Sequence, residues 1–173
     1  MSSKMGKIIA FVGAILAVVA ILMMFAPAIV PKEGKSNDMT GLKLAFGAKE
    51  DDVRILDASI MILAYGLLIA GIIFTILSML GNGGKFALFA AAICFAVAAV
   101  MFFLSLQLVD FAYGAEQDFK ADINESVRKA WKLGIGAIVS GATAAVAAVA
   151  VIIASFAKDA PERPAMAMPP RRY

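Results

Sequence analysis

Four long segments without a single charged residue constrain this sequence more than any other feature. They run from Ile8 to Val30, from Ala58 to Leu80, from Phe86 to Leu108 and from Leu133 to Ala157. Each has 23 to 25 residues, and a helix of that length rises roughly 35 Å, against a hydrocarbon core of about 30 Å. Transmembrane β-strands are excluded because they are about ten residues long and alternate in hydrophobicity. The pattern therefore predicts four transmembrane α-helices, at about 8–30, 58–80, 86–108 and 133–157.

The overall composition agrees with a lipid environment. Hydrophobic residues make up 62% of the chain and charged residues 17%, whereas soluble domains have about 45–50% and about 25%. We predict an all-α membrane protein in which a left-handed four-helix bundle forms a single transmembrane domain over residues 1–157. Residues 158–173 contain four prolines and three arginines, which predicts a disordered cytoplasmic tail.

The first segment could alternatively be a cleaved signal peptide. Lys4 and Lys7 precede it, and Ala26-Pro27-Ala28 has the small-x-small pattern of a cleavage site. The apolar region of a signal peptide is only about 7–15 residues long, which is shorter than this segment. We therefore favour a retained helix.

The distribution of charge predicts the orientation. Four crossings place both termini on one side of the membrane and the two long loops, 31–57 and 109–132, on the other. Lysine and arginine number seven in 28 residues on the side of the termini and nine in 51 on the side of the loops. The higher density predicts that both termini are cytoplasmic and that the long loops are extracellular.

Small residues recur along the helices and predict where the helices meet, because close van der Waals approach drives helix association in lipid. The predicted seams are Ala10, Gly13, Ala17 and Ala20; Gly66 and Ala70; Ala87, Ala91, Cys94 and Ala98; and Gly136, Ser140, Ala144 and Ala148 with Ala137, Gly141 and Ala145 alongside. For the fourth segment we favour packing within the bundle over an interface with a partner or a second copy.

Both long loops show a local hydrophobic period. In the first loop Leu42, Leu44 and Phe46 alternate with Lys43 and Ala45, a period of two that predicts a short strand or hairpin arm. In the second loop Phe119, Ile123 and Val127 recur every four residues. This spacing predicts an amphipathic helix that leads to Trp131 at the membrane border, with Glu125 and Lys129 as an i, i+4 ion pair.

Few residues in the chain could carry chemistry. The sequence has no histidine, and its one cysteine, Cys94, lies within the third apolar segment. The acidic run Glu50-Asp51-Asp52 lacks the spaced carboxylates and the turning glycine of a calcium loop, so we interpret it as solvated charge. Among the polar residues of the spans, Tyr65 is expected to find a hydrogen-bond partner. We predict no catalytic, cofactor-binding or metal-binding residue, and hence no enzyme and no cofactor.

These patterns favour a non-catalytic integral membrane protein, a structural, accessory or interaction subunit of a membrane assembly. Its expected partners are the lipid bilayer and either another protein or a further copy, met through the small-residue faces or the long loops. The alternative is a passive channel or small-solute permease formed by oligomerisation around the fourth helix, working through Ser140 and Thr143. A membrane enzyme is less favoured. The net charge of +3 is too small to indicate a nucleic-acid partner.

Two short patches resemble a known group of proteins. Thr40-Gly41-Leu42 followed by Phe46-Gly47, and Leu133-Gly134-Ile135-Gly136-Ala137-Ile138, are similar to motifs of small, functionally uncharacterised four-span membrane proteins of Gram-positive bacteria. This resemblance implies a plasma-membrane location and no activity. The layout also looks like that of claudin-type and tetraspanin-type tetraspans, but the first loop has neither tryptophan nor cysteine and Cys-Cys-Gly is absent. Architecture alone carries no function.

Overall fold

A computed structural model describes residues 4–32, 38–46, 49–50, 53–57, 59–81, 83–108, 110–113, 125 and 128–157. Its helices are α1 (Lys4–Leu22), α2 (Gly41–Phe46), α3 (Ser59–Met79), α4 (Gly84–Phe103), α5 (Ser105–Leu108) and α6 (Ile135–Phe156). The helices α1, α3, α4 and α6 are long and apolar enough to cross a membrane. The predicted fold class, a four-helix bundle of membrane-spanning helices, is confirmed.

The four long helices pack in a closed ring that follows the order of the chain. Helix α1 packs against α3 and α6, and α4 packs against the same two helices. Because successive crossings alternate in direction, every neighbouring pair in this ring is antiparallel. The centre of the bundle is filled by apolar side chains from all four helices, among them Ala17, Leu68, Phe95, Ala98, Ala144 and Val151, each of which is fully or almost fully buried.

The first helix is shorter at its C-terminal end than the apolar pattern predicts. Helix α1 ends at Leu22, a 3-10 turn covers Met23–Phe25, and the backbone is extended from Ala26 onwards. Pro27 explains this, because a proline disfavours the helical conformation at the residue before it and donates no amide hydrogen. The predicted helical residues Ala28 to Val30 therefore belong to a strand.

The third and fourth segments also depart from the predicted bounds at this end. Helix α4 ends at Phe103, and α5 follows Leu104 as a separate turn. Residues Trp131–Leu133 are a strand, and α6 begins only at Ile135. Residues 104–108 extend the third apolar segment without continuing α4, and Leu133 extends the fourth without belonging to α6, so the sequence pattern overestimates both helices.

Among the described residues, six strands lie at the end of the bundle that carries the long loops. They are β1 (Pro27–Pro31), β2 (Met39–Thr40), β3 (Lys49–Glu50), β4 (Val53–Asp57), β5 (Asp110–Tyr113) and β6 (Trp131–Leu133). They form two antiparallel sheets, in the orders β2-β1-β6 and β3-β4-β5. In the first sheet Ile29 pairs with both Met39 and Leu133, and in the second Ile55 pairs with Phe111. Each sheet therefore joins a strand of the second loop to strands of the first.

The first loop contains the predicted strands, since β3 and β4 pair as a hairpin, but not at the predicted position. Residues 41–46 form helix α2 instead of the predicted strand. In α2 Gly41, Leu44 and Ala45 are buried, and Leu42 and Phe46 are exposed, which is the i, i+3, i+4 pattern of a helix. For the predicted amphipathic helix, residues 119, 123 and 127 lie outside the described residues. Residues 128–130 are helical, but Trp131 is extended and buried in β6.

At the opposite end of the bundle a tight turn joins α3 to α4. Gly81, Gly83 and Gly84 adopt positive φ angles of 92°, 82° and 51°, a region that costs glycine little and other residues more. The Ser78 hydroxyl donates a 2.9 Å hydrogen bond to the Gly84 carbonyl. The turn is therefore fixed by glycine conformations and by a side chain from the last turn of α3.

Most of the predicted seams face the interior of the bundle. All four predicted residues of α1 are buried, as are Ala87, Ala91 and Ala98 of α4, whereas Cys94 is only partly buried. In α6 every predicted residue except Ala145 is buried. The α6 stripe packs against α1 and α4 of the same chain, as we favoured.

The predicted seam of α3 is wrong. Gly66 is exposed, with open space where a Cβ would lie, and Ala70 is only partly buried. The buried face of α3 includes Leu68, Gly71 and Thr75 instead. The reason is that Gly71, not Gly66, faces a bulky partner, the ring of Phe95 on α4.

Candidate functional site

The most elaborate structure outside the spans is a compact unit that we call the loop platform, made of β1, β2, β6 and α2. It has its own buried side chains, which continue the core of the bundle: Ala28, Ile29, Met39, Leu44, Ala45 and Trp131. Ile29 and Leu44 are completely buried. The loop platform is therefore packed onto the bundle through an apolar core.

Two glycines at the start of α6 bring that helix against the backbone that follows α1. A Cβ on Gly136 would lie 2.8 Å from the carbonyl oxygens of both Ala26 and Pro27, and one on Gly134 would lie 3.0 Å from the carbonyl carbon of Ala28. Real Cβ atoms essentially never approach to 2.8 Å, and 3.0 Å is tighter than most real Cβ contacts. The Gly134 amide donates a 2.7 Å hydrogen bond to the Ala28 carbonyl. The Gly134-Ile135-Gly136 sequence therefore allows β6 and α6 to meet the end of the first span.

A third glycine performs the same task for α2. The Gly41 amide donates to the Ala26 carbonyl at 3.3 Å, and a Cβ on Gly41 would lie 3.0 Å from Cα of Met24 and closer still to the Tyr65 hydroxyl. Tyr65 packs its ring on Phe102 in a T-shaped contact at 5.1 Å between centroids. Its hydroxyl has no hydrogen-bond partner among the described residues, so the partner that we predicted for it is not found there.

These three glycines belong to the two patches whose resemblance to small four-span proteins is described above. Although Gly41 and Gly134 are far apart in the sequence, both contact the short segment from Met24 to Ala28. The glycines and the two prolines of β1 were visible in the sequence as local signals. The meeting of both patches on one segment depends on strand pairing between the loops, which no local pattern reveals.

Polar contacts tie the second loop to the rest of this end. The Lys32 amide donates to the Ala130 carbonyl at 2.9 Å, and the Lys32 ammonium donates to the Lys129 carbonyl at 2.6 Å. The Arg128 guanidinium donates to the Gln107 carbonyl at the end of α5 at 2.6 Å. The Lys32 contacts thus join the first loop to the second, and the Arg128 contact joins the two ends of the second loop.

The predicted ion pair between Glu125 and Lys129 is present, with 2.7 Å between the ammonium and the carboxylate. The hydrogen bond from Lys129, together with its charge, lowers the pKa of Glu125. Both side chains are largely exposed, so solvent screens the attraction and the pair contributes little to stability.

Hydroxyl groups inside the bundle donate to backbone carbonyls. Ser140 on α6 donates to the Ala20 carbonyl in the last turn of α1 at 2.9 Å, and this bond is buried. Thr143 donates to the Val139 carbonyl of its own helix at 2.7 Å, and Thr75 donates to the Gly71 carbonyl at 2.8 Å. Ser140 and Thr143, the candidate pore-lining residues of the alternative prediction, are both engaged in these contacts.

The described residues contain no group of three or more histidine, cysteine, aspartate or glutamate side chains that could hold a metal ion. Of the acidic run in the first loop, Glu50 lies in β3, and Asp51 and Asp52 lie outside the described residues. Cys94 is a free, partly buried thiol on α4. The buried Ser105 hydroxyl of α5 has no partner and has no second reactive group placed beside it in the part of the chain that the structure describes.

No protein-family model, curated protein or solved structure matches the chain. The assignment to small four-span proteins of Gram-positive bacteria therefore stays a prediction. Inferences about function depend on the geometry described above.

Proposed function

We propose that this chain is a non-catalytic membrane protein, an accessory or interaction subunit that presents its loop platform to a protein partner. The observation that carries the proposal is the construction of the platform itself. Three glycines, three paired strands and a buried tryptophan hold a small folded unit against the end of the bundle. Connecting two helices would need only a short turn, as the α3–α4 connection shows, so the additional structure calls for another role.

The interior of the bundle supports a non-transporting role. Ion-coupled transporters place an ionisable residue inside the membrane because its charge provides the coupling. The four apolar segments of this sequence contain none. The hydroxyls of Ser140, Thr143 and Thr75 donate to backbone carbonyls, which supports a structural role for them within the bundle.

The proposed location is the plasma membrane, with both termini in the cytoplasm and the loop platform outside. The density of lysine and arginine near the helix ends supports this orientation. The loop platform would then meet extracellular domains of other membrane proteins, or extracellular proteins.

The exposed Phe46 at the end of α2 provides a sharp test of the proposal. Its side chain is 70% exposed, and Phe156 at the other end of the molecule is 65% exposed, so these two rings form a matched pair. After mild solubilisation, the wild-type chain and the Phe156→Ala variant should retain the same stoichiometric partner, and Phe46→Ala should lose it. Circular dichroism of the purified variants checks that both remain folded.

Reconstitution into liposomes tests the alternative function, that of a passive channel or small-solute permease. Liposomes that contain only the wild-type chain should release small solutes no faster than empty liposomes. The proposal is wrong if no protein co-purifies stoichiometrically and these liposomes leak a defined solute, because the chain would then be a passive permease.

A further inference from the structure

The two ends of the bundle differ sharply in charge. The termini-side end, where α1 and α4 begin and α3 and α6 end, comprises residues 1–7, 81–85 and 158–173, with seven basic and two acidic residues and a net charge of +5. The loop end, residues 31–57 and 109–132, has nine basic and eleven acidic residues and a net charge of −2. The chain is therefore strongly polarised along the axis of the bundle.

Three cations of the termini-side end are fixed on helices. Lys4 and Lys7 lie in the first two turns of α1, Lys85 is the second residue of α4, and all three side chains are exposed. No acidic residue lies among the described residues of this end. At the loop end, by contrast, Lys129 pairs with Glu125 and the Lys32 ammonium donates to a carbonyl. The lysines of the termini-side end thus have unbalanced charge.

The apolar side chains next to these lysines indicate at what depth in the membrane the lysines lie. Ile8 follows Lys7 and is 64% exposed, and Phe86 follows Lys85 and is 85% exposed. Such large apolar side chains belong among acyl chains in a membrane. The ammonium groups next to them extend on flexible apolar stems toward the border between acyl chains and headgroups, which is the level of the lipid phosphates.

The spacing of the lysines distinguishes a lipid surface from a single bound anion. Helices α1 and α4 are not neighbours in the ring but face each other across the bundle. With adjacent helix axes about 8–10 Å apart, this diagonal is roughly 11–14 Å. Exposed lysines on opposite helices of the ring fit a lipid surface around the bundle better than a single bound anion. We propose that the termini-side end binds anionic lipid headgroups, which Lys4 and Lys7 contact on one side of the bundle and Lys85 contacts on the other.

Spin-labelled lipids test this proposal on the full-length chain. The chain is reconstituted in phosphatidylcholine bilayers, and electron paramagnetic resonance measures its relative association constants for spin-labelled phosphatidylglycerol and phosphatidylcholine. The wild-type chain should prefer phosphatidylglycerol. Each replacement in the series Lys4→Gln, Lys7→Gln and Lys85→Gln should reduce the preference by up to about fivefold, and 1 M salt should remove most of it because charges are then screened beyond about 3 Å.

A charge-matched control separates the proposed surface from the net charge of the protein. The combined variant Lys32→Gln, Lys129→Gln and Lys132→Gln removes three positive charges from the loop end and should keep the wild-type preference. An equal loss of preference in this control, or no preference in the wild-type chain, overturns the proposal. Competition by millimolar glycerol phosphate also overturns it, because a soluble anion would then occupy the site. The matching variant combines Lys4→Gln, Lys7→Gln and Lys85→Gln; if it fails to fold, its three single replacements are compared with the single replacements at the loop end.

Discussion

The α1–α6 interface and the α3–α4 interface close in different ways. At the first, small residues of both helices let the backbones approach: a Cβ added to Gly13 would lie 3.3 Å from the Ala147 carbonyl oxygen, and Ser140 donates a hydrogen bond across to Ala20. At the second, Gly71 receives the ring of Phe95, and a Cβ there would lie 2.7 Å from the ring carbon Cδ1. One interface brings backbones together, and the other inserts an aromatic ring into the space left by a glycine.

This difference shows what holds helices together in lipid. Lipid chains are as apolar as the side chains, so burial supplies no hydrophobic drive between helices and close contact must supply the attraction. A ring in a glycine notch makes many van der Waals contacts at one place, whereas small residues spread fewer contacts along the helix. We therefore expect the free energy of unfolding to depend on single residues more strongly at the α3–α4 interface than at the α1–α6 interface.

Removing the Phe95 ring should have the largest effect on the free energy of unfolding. Phe95 is completely buried, and Phe95→Ala should lower the free energy of unfolding by about 3–5 kcal/mol through the cavity that it creates. Phe86→Ala on the same helix is the matched control, since Phe86 is 85% exposed and its loss leaves no cavity. Reversible unfolding in mixed detergent micelles measures both. Similar values for the two variants would contradict a role for the ring in closing the interface.

Filling the space that Gly71 leaves for the Phe95 ring should have the next largest effect on the free energy of unfolding. Gly71→Ala forces a methyl group into the space of the Phe95 ring and should cost about 1–3 kcal/mol. The equivalent change at Gly66, where a Cβ meets nothing within 4 Å, should be nearly neutral or slightly stabilising. Combining Gly71→Ala with Phe95→Leu tests the mechanism by a double-mutant cycle. The two changes should couple by more than about 0.5 kcal/mol, because the smaller side chain leaves room for the methyl group.

These two glycines also show how far the sequence could predict the bundle. Spacing identified the buried faces of α1 and α6 because those faces consist of small residues throughout. It failed on α3, where Gly66 and Gly71 look alike in the sequence and only the position of Phe95 on another helix distinguishes them. A small residue marks a seam when its neighbours across the interface are also small, but a single glycine opposite a ring gives no local pattern.

The ends of the four long helices were less predictable from the sequence than the buried faces of α1 and α6. Pro27 can end a helix, but the apolar residues after it extend the segment without charge, so the sequence predicts a span that continues to Val30. They form β1 because Trp131–Leu133 and Met39–Thr40 pair with it, and those partners come from distant parts of the chain. The alternation of Leu42, Leu44 and Phe46 suggested a strand. The segment is instead helix α2, whose first residue, Gly41, lies against Met24 and Tyr65. The loop platform as a candidate site was therefore not predicted.

The smallest effect is expected at the α1–α6 interface, from the hydrogen bond between Ser140 and Ala20. Ser140→Ala keeps the small side chain that close approach needs and removes only the donor, so it should lower the free energy of unfolding by about 0.6 kcal/mol. Thr143→Val is the control, because Thr143 donates to its own helix and its loss should leave the interface unchanged. The same unfolding assay compares them, and a cost for Ser140→Ala as large as that of Gly71→Ala would show that a polar contact, not close packing, holds α1 to α6.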